Sequence, residues 1–433
     1  MNQNSAETNT VAVLNPVAVV QPARRAAVAF IFVTAILDTL SFGIALPVLP
    51  ELIRQILGGG FGQAAWWFGI YGAVFAAAQF LFSPVQGALS DRFGRRPVIL
   101  ISNLGMAINY VMLALVPSLW WLLAGRVILG ITAASLATAN AYIADTTPED
   151  KRVAAFSIVG SAFGLGFIFG PALGGFLGNI SIRLPFWISA ALALLNFVYG
   201  FLILPESLPK EKRTRRFELK DANPIGALAL LRKYSHLFDL GISSFVMDLA
   251  ACVLRTVFVL YAGYRYGWNT QTIGLFLMVM AVLTVAVRVG LTSYLASVFG
   301  DRNVMFAGLF FGIVSYAWMA LAGTGKVFVM AAPLLALSSL AEPTIQSIMS
   351  RTVKDSEQGR LQSAIRSLDG FASIFGPYIF AGIFAVSIKV QKVPYMVGAA
   401  FIAAAAFELV GAIVAVRATL RREPCEVAQA SAA

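Results

Sequence analysis

Apolar residues arrive along this chain in long runs, separated by short polar or glycine-containing stretches, and they neither alternate nor recur at amphipathic spacing. A helix crossing a hydrocarbon core of roughly 30 Å needs about twenty apolar residues. Lipid cannot satisfy backbone N–H and C=O groups, so such runs must be helical. The pattern predicts twelve membrane-spanning helices, near 26–48, 64–86, 97–117, 119–143, 153–178 and 184–204, then near 237–261, 271–295, 304–323, 327–349, 361–386 and 394–417. The expected class is therefore an all-α membrane protein of two six-helix bundles. The bundles, 26–204 and 237–417, are joined by a charged cytoplasmic linker at 205–236 and flanked by cytoplasmic tails at 1–25 and 418–433.

Composition agrees with that pattern. Of 433 residues, 59% are hydrophobic and 12% charged, and the mean hydropathy is +0.79, which excludes a large soluble enzyme. The net charge of +11 would suggest nucleic-acid binding in a soluble protein. Here the basic residues sit between apolar runs, so they set topology and no nucleic-acid partner is expected. Most of the 32 Lys and Arg fall on the side of the termini and linker, including Lys210, Lys212, Arg213, Arg215, Arg216 and Lys220. Arg54, Arg183, Arg265, Lys326, Lys389 and Lys392 fall on the other side. The positive-inside rule puts both termini in the cytoplasm of a bacterial-type inner membrane. Cys252 and Cys425 fit neither a disulfide framework nor a metal site. Met1 to Gln21 lacks the features of a cleaved signal peptide.

The halves read as repeats. Gly164, Ile168, Phe169, Gly170 and Pro171 recur 206 residues later as Gly370, Ile374, Phe375, Gly376 and Pro377. The same offset carries Gly94 to Gly300 and Ser161 to Ser367. Two similar bundles with a site between them is the layout of alternating access.

Between spans two and three runs Gly87-Ala-Leu-Ser-Asp91-Arg92-Phe-Gly94-Arg95-Arg96-Pro97. It resembles the cytoplasmic loop signature of the major facilitator superfamily, which helps to latch the halves in the outward-facing state. Span five carries Gly164-Leu-Gly166-Phe-Ile-Phe-Gly170-Pro171-Ala-Leu-Gly174-Gly175. This is similar to the glycine-rich motif of the antiporter branch, where small residues allow close helix approach. With Asp38 through Pro50 in span one and Gly125-Arg126 through Asp145 in span four, the N-terminal half resembles the tetracycline/proton antiporters. The resemblance implies a twelve-span exporter with Gly87, Asp91, Arg92, Gly94, Arg95, Gly170 and Pro171 as conformational gate. It also implies a proton-coupling role for Arg126. The chain departs from the pattern at three positions, with Asn109, Thr284 and Gly312 where those exporters carry an acid, a histidine and an aspartate. That weakens tetracycline itself as the substrate.

Charge inside a membrane is costly unless it faces the bundle interior, so it marks function. The intramembrane set is Asp38, Arg126, Asp248, Arg255, Arg288, Glu342, Arg366, Asp369 and Glu408. Asp38 leads for proton or substrate handling, with Glu342 as a second protonation site before Pro343. Arg126 stays charged and would tune a nearby carboxylate. Asp248, Arg255 and Arg288 are expected to form one polar cluster, and Asn109 and Gln346 to join the substrate site. Arg366 and Asp369 can pair, and Glu408 is expected to be peripheral or structural. No nucleotide-binding loop is present, no cofactor or metal is called for, and no enzyme-type nucleophile and base stand out. The expectation is a monomeric secondary transporter, not an enzyme, whose partners are protons, a small-molecule substrate and the lipid bilayer. Proton-coupled efflux of an amphipathic compound is favoured, with import of an organic anion or nutrient as the alternative.

Overall fold

In a computed structural model, the described residues are 21–133, 135–213, 228–233, 235–354, 357–390 and 394–420. Expectations for the first twenty residues, for Arg215, Arg216, Lys220 and Lys392, and for Cys425 lie outside them. Every described element is helical, and all twelve predicted spans fall on helix.

Several spans are broken, and each break has a local cause. Span one is α1 (Gln21–Ala45) and α2 (Leu49–Ile56), bent by 41° around Pro47, which has no N–H to continue the ladder. The second and third spans, α3 (Phe61–Phe93) and α4 (Arg95–Leu115), are unbroken. The sequence predicts one continuous fourth span, but the structure divides it into α5 (Leu119–Thr132) and α6 (Ser135–Thr146). The carbonyls freed at that break do not go unpaired. Gln86 Nε2 donates to the Ile131 carbonyl, and Ser102 Oγ donates to the Thr132 carbonyl at 2.5 Å. Side chains on neighbouring spans are what make such a break tolerable in lipid. α7 (Glu149–Ile180) and α8 (Leu184–Ile203) complete the first half.

A short α9 (Ala229–Lys233) precedes span seven, formed by α10 (Ser235–Thr256) and α11 (Phe258–Tyr266). Span eight is α12 (Thr270–Ala286), a π turn at Val287–Leu291 and α13 (Thr292–Phe299). Span nine is α14 (Asp301–Leu321), a single helix. Span ten is segmented into α15 (Gly325–Val329), α16 (Ala332–Ser338) and α17 (Ala341–Thr352), and α18 (Gln358–Val390) and α19 (Ala399–Leu420) close the second half.

Small residues set the packing. In the first half α1 lies on α7, where Gly43 and Gly170 meet backbone to backbone, and a Cβ on Gly43 would sit 2.9 Å from the Gly170 Cα. In the second half α19 packs on α10 and α14. The halves meet chiefly along α3 with α18 and α7 with α12. These contacts gather at the end away from the linker. There Gly62 faces Ala385, Phe61 packs on Tyr264, Trp66 on Tyr378, and Gly274 lies against Pro171. Trp66 thus bridges the two halves. Toward the linker, Arg95 pairs with Asp91 and Asp145, Arg288 with Glu342 and Arg351 with Asp301, each within one half, and Arg213 of the linker pairs with Glu206. The contacts between the halves run from the end away from the linker as far as Phe80 and Phe371, whose rings lie 5.1 Å apart.

Candidate functional site

In the first half, Asp38 is buried on α1, and Asn196 of α8 donates its Nδ2 to Asp38 Oδ1 at 2.8 Å. Ser189, two turns away on α8, donates to the Ser41 carbonyl at 2.9 Å, so α8 holds this part of α1 in register. Arg126 on α5 lays its guanidinium over the Tyr71 ring at 4.0 Å and the Phe75 ring at 4.9 Å, both on α3. A cation over an aromatic face keeps its charge at less desolvation cost than in bare lipid. Tyr110, fully enclosed on α4, stands within electrostatic reach of Arg126, Tyr71 and Asp38. The Tyr71 hydroxyl, Arg126 Nε and both amide atoms of Asn109 are buried without a protein hydrogen-bond partner. Buried polar atoms are nearly always paired, so this wall of the interior has spare hydrogen-bonding capacity beside a carboxylate and a permanent cation.

In the second half, Asp248 and Arg255 keep together on α10, and Arg288 turns to a different partner. The π turn carries Arg288, which meets Glu342 at 2.5 Å, both side chains being about half exposed. Arg255 instead turns back on α10, donating to the Asp248 carbonyl at 3.3 Å and contacting Cys252 Sγ at 3.1 Å. The Asp248 carboxyl lies within hydrogen-bonding reach of Asp369 on α18. Residues seven apart on a helix share a face, but the guanidinium follows the available acceptors. Glu342, Gln346, Asp369, Arg366 and Ser244 line one cleft of about 70 Å³. Gln346 donates to Gln362 at 3.0 Å, and Arg366 stands 3.9 Å from Asp369. Glu342 and Gln346 are thus brought to one cleft with Asp369, and Arg288 joins through Glu342.

The loop signature is built by a different set of contacts. Arg95 pairs with Asp91 and, at 3.0 Å, with Asp145 at the end of α6. Its backbone N–H donates to Glu206 at 2.8 Å, and Arg213 of the linker lies 3.8 Å from the same carboxylate. Gly94 has φ +107°, and a Cβ there would run into the Glu206 carboxylate, so glycine is required on both counts. Arg92 is exposed over Phe93, and Gly87 faces open space. Gly170 and Pro171 lie at the crossing with α1 and α12 described above.

The amino-acid pattern of residues 31–337, and again of 240–433, matches the Major Facilitator Superfamily. The chain belongs to the Major Facilitator Superfamily. Within the superfamily it is 37% identical to the class C tetracycline resistance protein of Escherichia coli over 368 residues, spanning 85% of this chain and 92% of that one. It is 32% identical to the class H protein of Pasteurella multocida, spanning 83% and 89% of the two chains. The fold is shared with the human organic anion transporter MFSD10 (TETRAN), with a TM-score of 0.67 at 23% identity, covering 91% of this chain and all of that one. It is also shared with the nucleoside transporter NupG, with a TM-score of 0.75 at 14% identity over 92% of this chain and all of that one. As a superfamily member the chain is a multi-pass membrane transporter of small molecules.

The sequence reading singled out neither Tyr71 nor Asn196. One signal was available, because Tyr110 recurs at the repeat offset as Tyr316, and both are enclosed. Glu408, expected to be peripheral or structural, is buried among α10, α14 and α19.

Proposed function

We propose that this transporter exports a small amphipathic compound in exchange for protons, by alternating access in a bacterial-type inner membrane. The observation that carries the reading is the gathering of Asp38 and Arg126 around Tyr110. A carboxylate near a fixed cation and in a desolvated site binds a proton or a ligand, each at the expense of the other. The tetracycline resistance relatives, over most of the chain, support efflux as the direction. Asn109, Thr284 and Gly312 argue for a substrate other than tetracycline. Both termini and the linker are cytoplasmic. Residues 26–204 and 237–417 act as two rocking units around the site, joined by 205–236, and the protein works as a monomer. In this reading Asp38, Arg126 and Glu342 couple the proton, and Asn109, Asp248, Arg255, Arg288 and Gln346 contact substrate.

Liposomes carrying the purified protein and an acidic lumen provide the test. Proton release triggered by a lipophilic drug, and absent from empty liposomes, is the expected outcome. Release only with organic anions, moving in the same direction as protons, would instead identify an importer.

A further inference from the structure

A cavity of about 440 Å³ lies between the halves at the end away from the linker, and neither Asp38 nor Glu342 lines it. The first half supplies Glu51 and Arg54 of α2 and Asn179 near the end of α7. The second supplies Trp268, Asn269 and Thr270, where α11 gives way to α12. The volume is that of a pocket for a small organic molecule. Gly178 also lines it, and on the next turn of α7 toward the linker Thr270 donates to the Gly175 carbonyl at 3.3 Å. One turn further along, Gly274 lies against Pro171. The halves therefore touch on the side of the cavity nearer the middle of the bundle, and both shape its walls.

Among the described residues that line the cavity, Glu51 and Arg54 carry the charge, and they neutralise each other. Arg54 Nε and Nη2 donate to the two Glu51 carboxylate oxygens at 2.7 and 2.5 Å, and Nη1 donates to the Gly59 carbonyl at 3.3 Å. The same guanidinium stands 4.8 Å from the centre of the Phe61 ring, whose other contact is Tyr264 of the second half. Other basic residues at this end stay outside the lining, and Arg265 donates to the Ala322 carbonyl at 3.2 Å. The rest of the lining is uncharged. Gln55, Asn179 and Ser181 are exposed and offer amide and hydroxyl groups, while Trp268 and Phe61 offer aromatic faces.

A ligand with net charge gains little from a bidentate pair already satisfied, and it still gives up its water. A ligand without net charge leaves the pair intact and can use the rings and amides together. We propose that this cavity is a second ligand site, on the outer face, for an aromatic amphipathic compound that is neutral or zwitterionic. Its place as the last station of an exported compound rests on the export reading above, whereas the binding does not. Because both halves line the site, a bound ligand and the movement of the halves influence each other.

The site is read by protection from alkylation. Ser181→Cys in the full-length protein, reconstituted in liposomes without a pH gradient, is labelled from outside with a membrane-impermeant maleimide, with wild type as background. The probes are rhodamine B, a zwitterion at neutral pH, and its cationic ester relative rhodamine 6G. Rhodamine B is expected to slow labelling roughly fivefold at saturation, and rhodamine 6G to leave the rate within about twofold. Gly323→Cys, exposed at the same end but outside the lining, is expected to be protected by neither dye. Adding Arg54→Gln, which leaves Glu51 unneutralised, is expected to bring protection by rhodamine 6G. Should that variant fold poorly, Glu51→Gln tests the opposite sign and is expected to bring protection by anionic fluorescein. A dye held elsewhere in the protein would not change its preference with these two residues. No protection by rhodamine B, equal protection by both rhodamines, equal protection at Gly323→Cys, or a preference unmoved by the charge variants overturns the proposal. Should the wild type show no substrate-triggered proton movement, the antiport reading fails, while the protection result still decides whether the cavity binds.

Discussion

At the residue scale, the first half concentrates its chemistry in two side chains that the surrounding helices hold differently. Asp38 is fixed by an amide donor from α8, and Arg126 by two aromatic faces of α3. A carboxylate that must titrate is lost when it becomes an amide of the same shape. Asp38→Asn is therefore expected to remain folded in the membrane and to lose ΔpH-driven transport to the level of empty liposomes. Transport at the wild-type rate would remove Asp38 from the coupling step. Arg126 tests geometry at constant charge. Lysine lacks the planar group that stacks over Tyr71 and Phe75, so Arg126→Lys is expected to cut the coupled rate roughly tenfold, about 1.4 kcal/mol, with thermal stability in detergent little changed. Of these residues, Asp38 and Arg126 were legible in the sequence because a charge within an apolar run has no cheap alternative explanation. Tyr71 and Asn196 were not, since an aromatic or an amide in a span is common and only the fold aims it at a charge.

At the element scale, glycines decide how closely helices approach, and the structure separates those that pack from those that do not. A methyl on Gly170 would meet the Gly43 backbone and the Leu40 carbonyl, whereas one on Gly87 meets nothing within 4 Å. Gly170→Ala is accordingly expected to destabilise by about 1–3 kcal/mol through overpacking, seen as a lower apparent Tm. Gly87→Ala is expected to leave stability within about 0.5 kcal/mol. A transport defect in Gly87→Ala would then locate the requirement in the opposite conformation, where the loop signature meets the other half. The breaks in spans one, four, seven, eight and ten divide along a similar line. Pro47 announced the first, but nothing local announced the end of α5 at Thr132. That break exists because Gln86 and Ser102, on other spans, take up the freed carbonyls.

At the scale of the whole molecule, the 206-residue repeat extends beyond glycines and prolines. Arg95 pairs with Asp145 in the first half, and the residues at the same positions in the second, Asp301 and Arg351, pair at 3.1 Å with the charges exchanged. Where the first half has Asp91 beside its arginine, the second has Ser297, which avoids setting two acids side by side. The second half thus demonstrates that the reversed pair fits this turn. In the first half, Asp145→Arg alone is expected to lower the apparent Tm by setting two arginines together. Adding Arg95→Asp and Asp91→Ser is expected to recover most of the loss. An additive result would mean that the two positions are not coupled.

The sequence by itself determined the class, the span positions, the repeat and the superfamily, because hydrocarbon thickness and unsatisfied backbone groups leave an apolar run almost no choice of structure. It also determined which residues had to matter, since a charge within a span must be accounted for. Only the tertiary structure decided which charges meet. It sent Arg288 to Glu342, set Asp248 beside Asp369 and enclosed Glu408 behind Gly312, pairings between helices far apart in the chain. Helical spacing fixes the face a side chain leaves from, but its partner comes from whichever helix packs against that face, and a single helix does not contain that information.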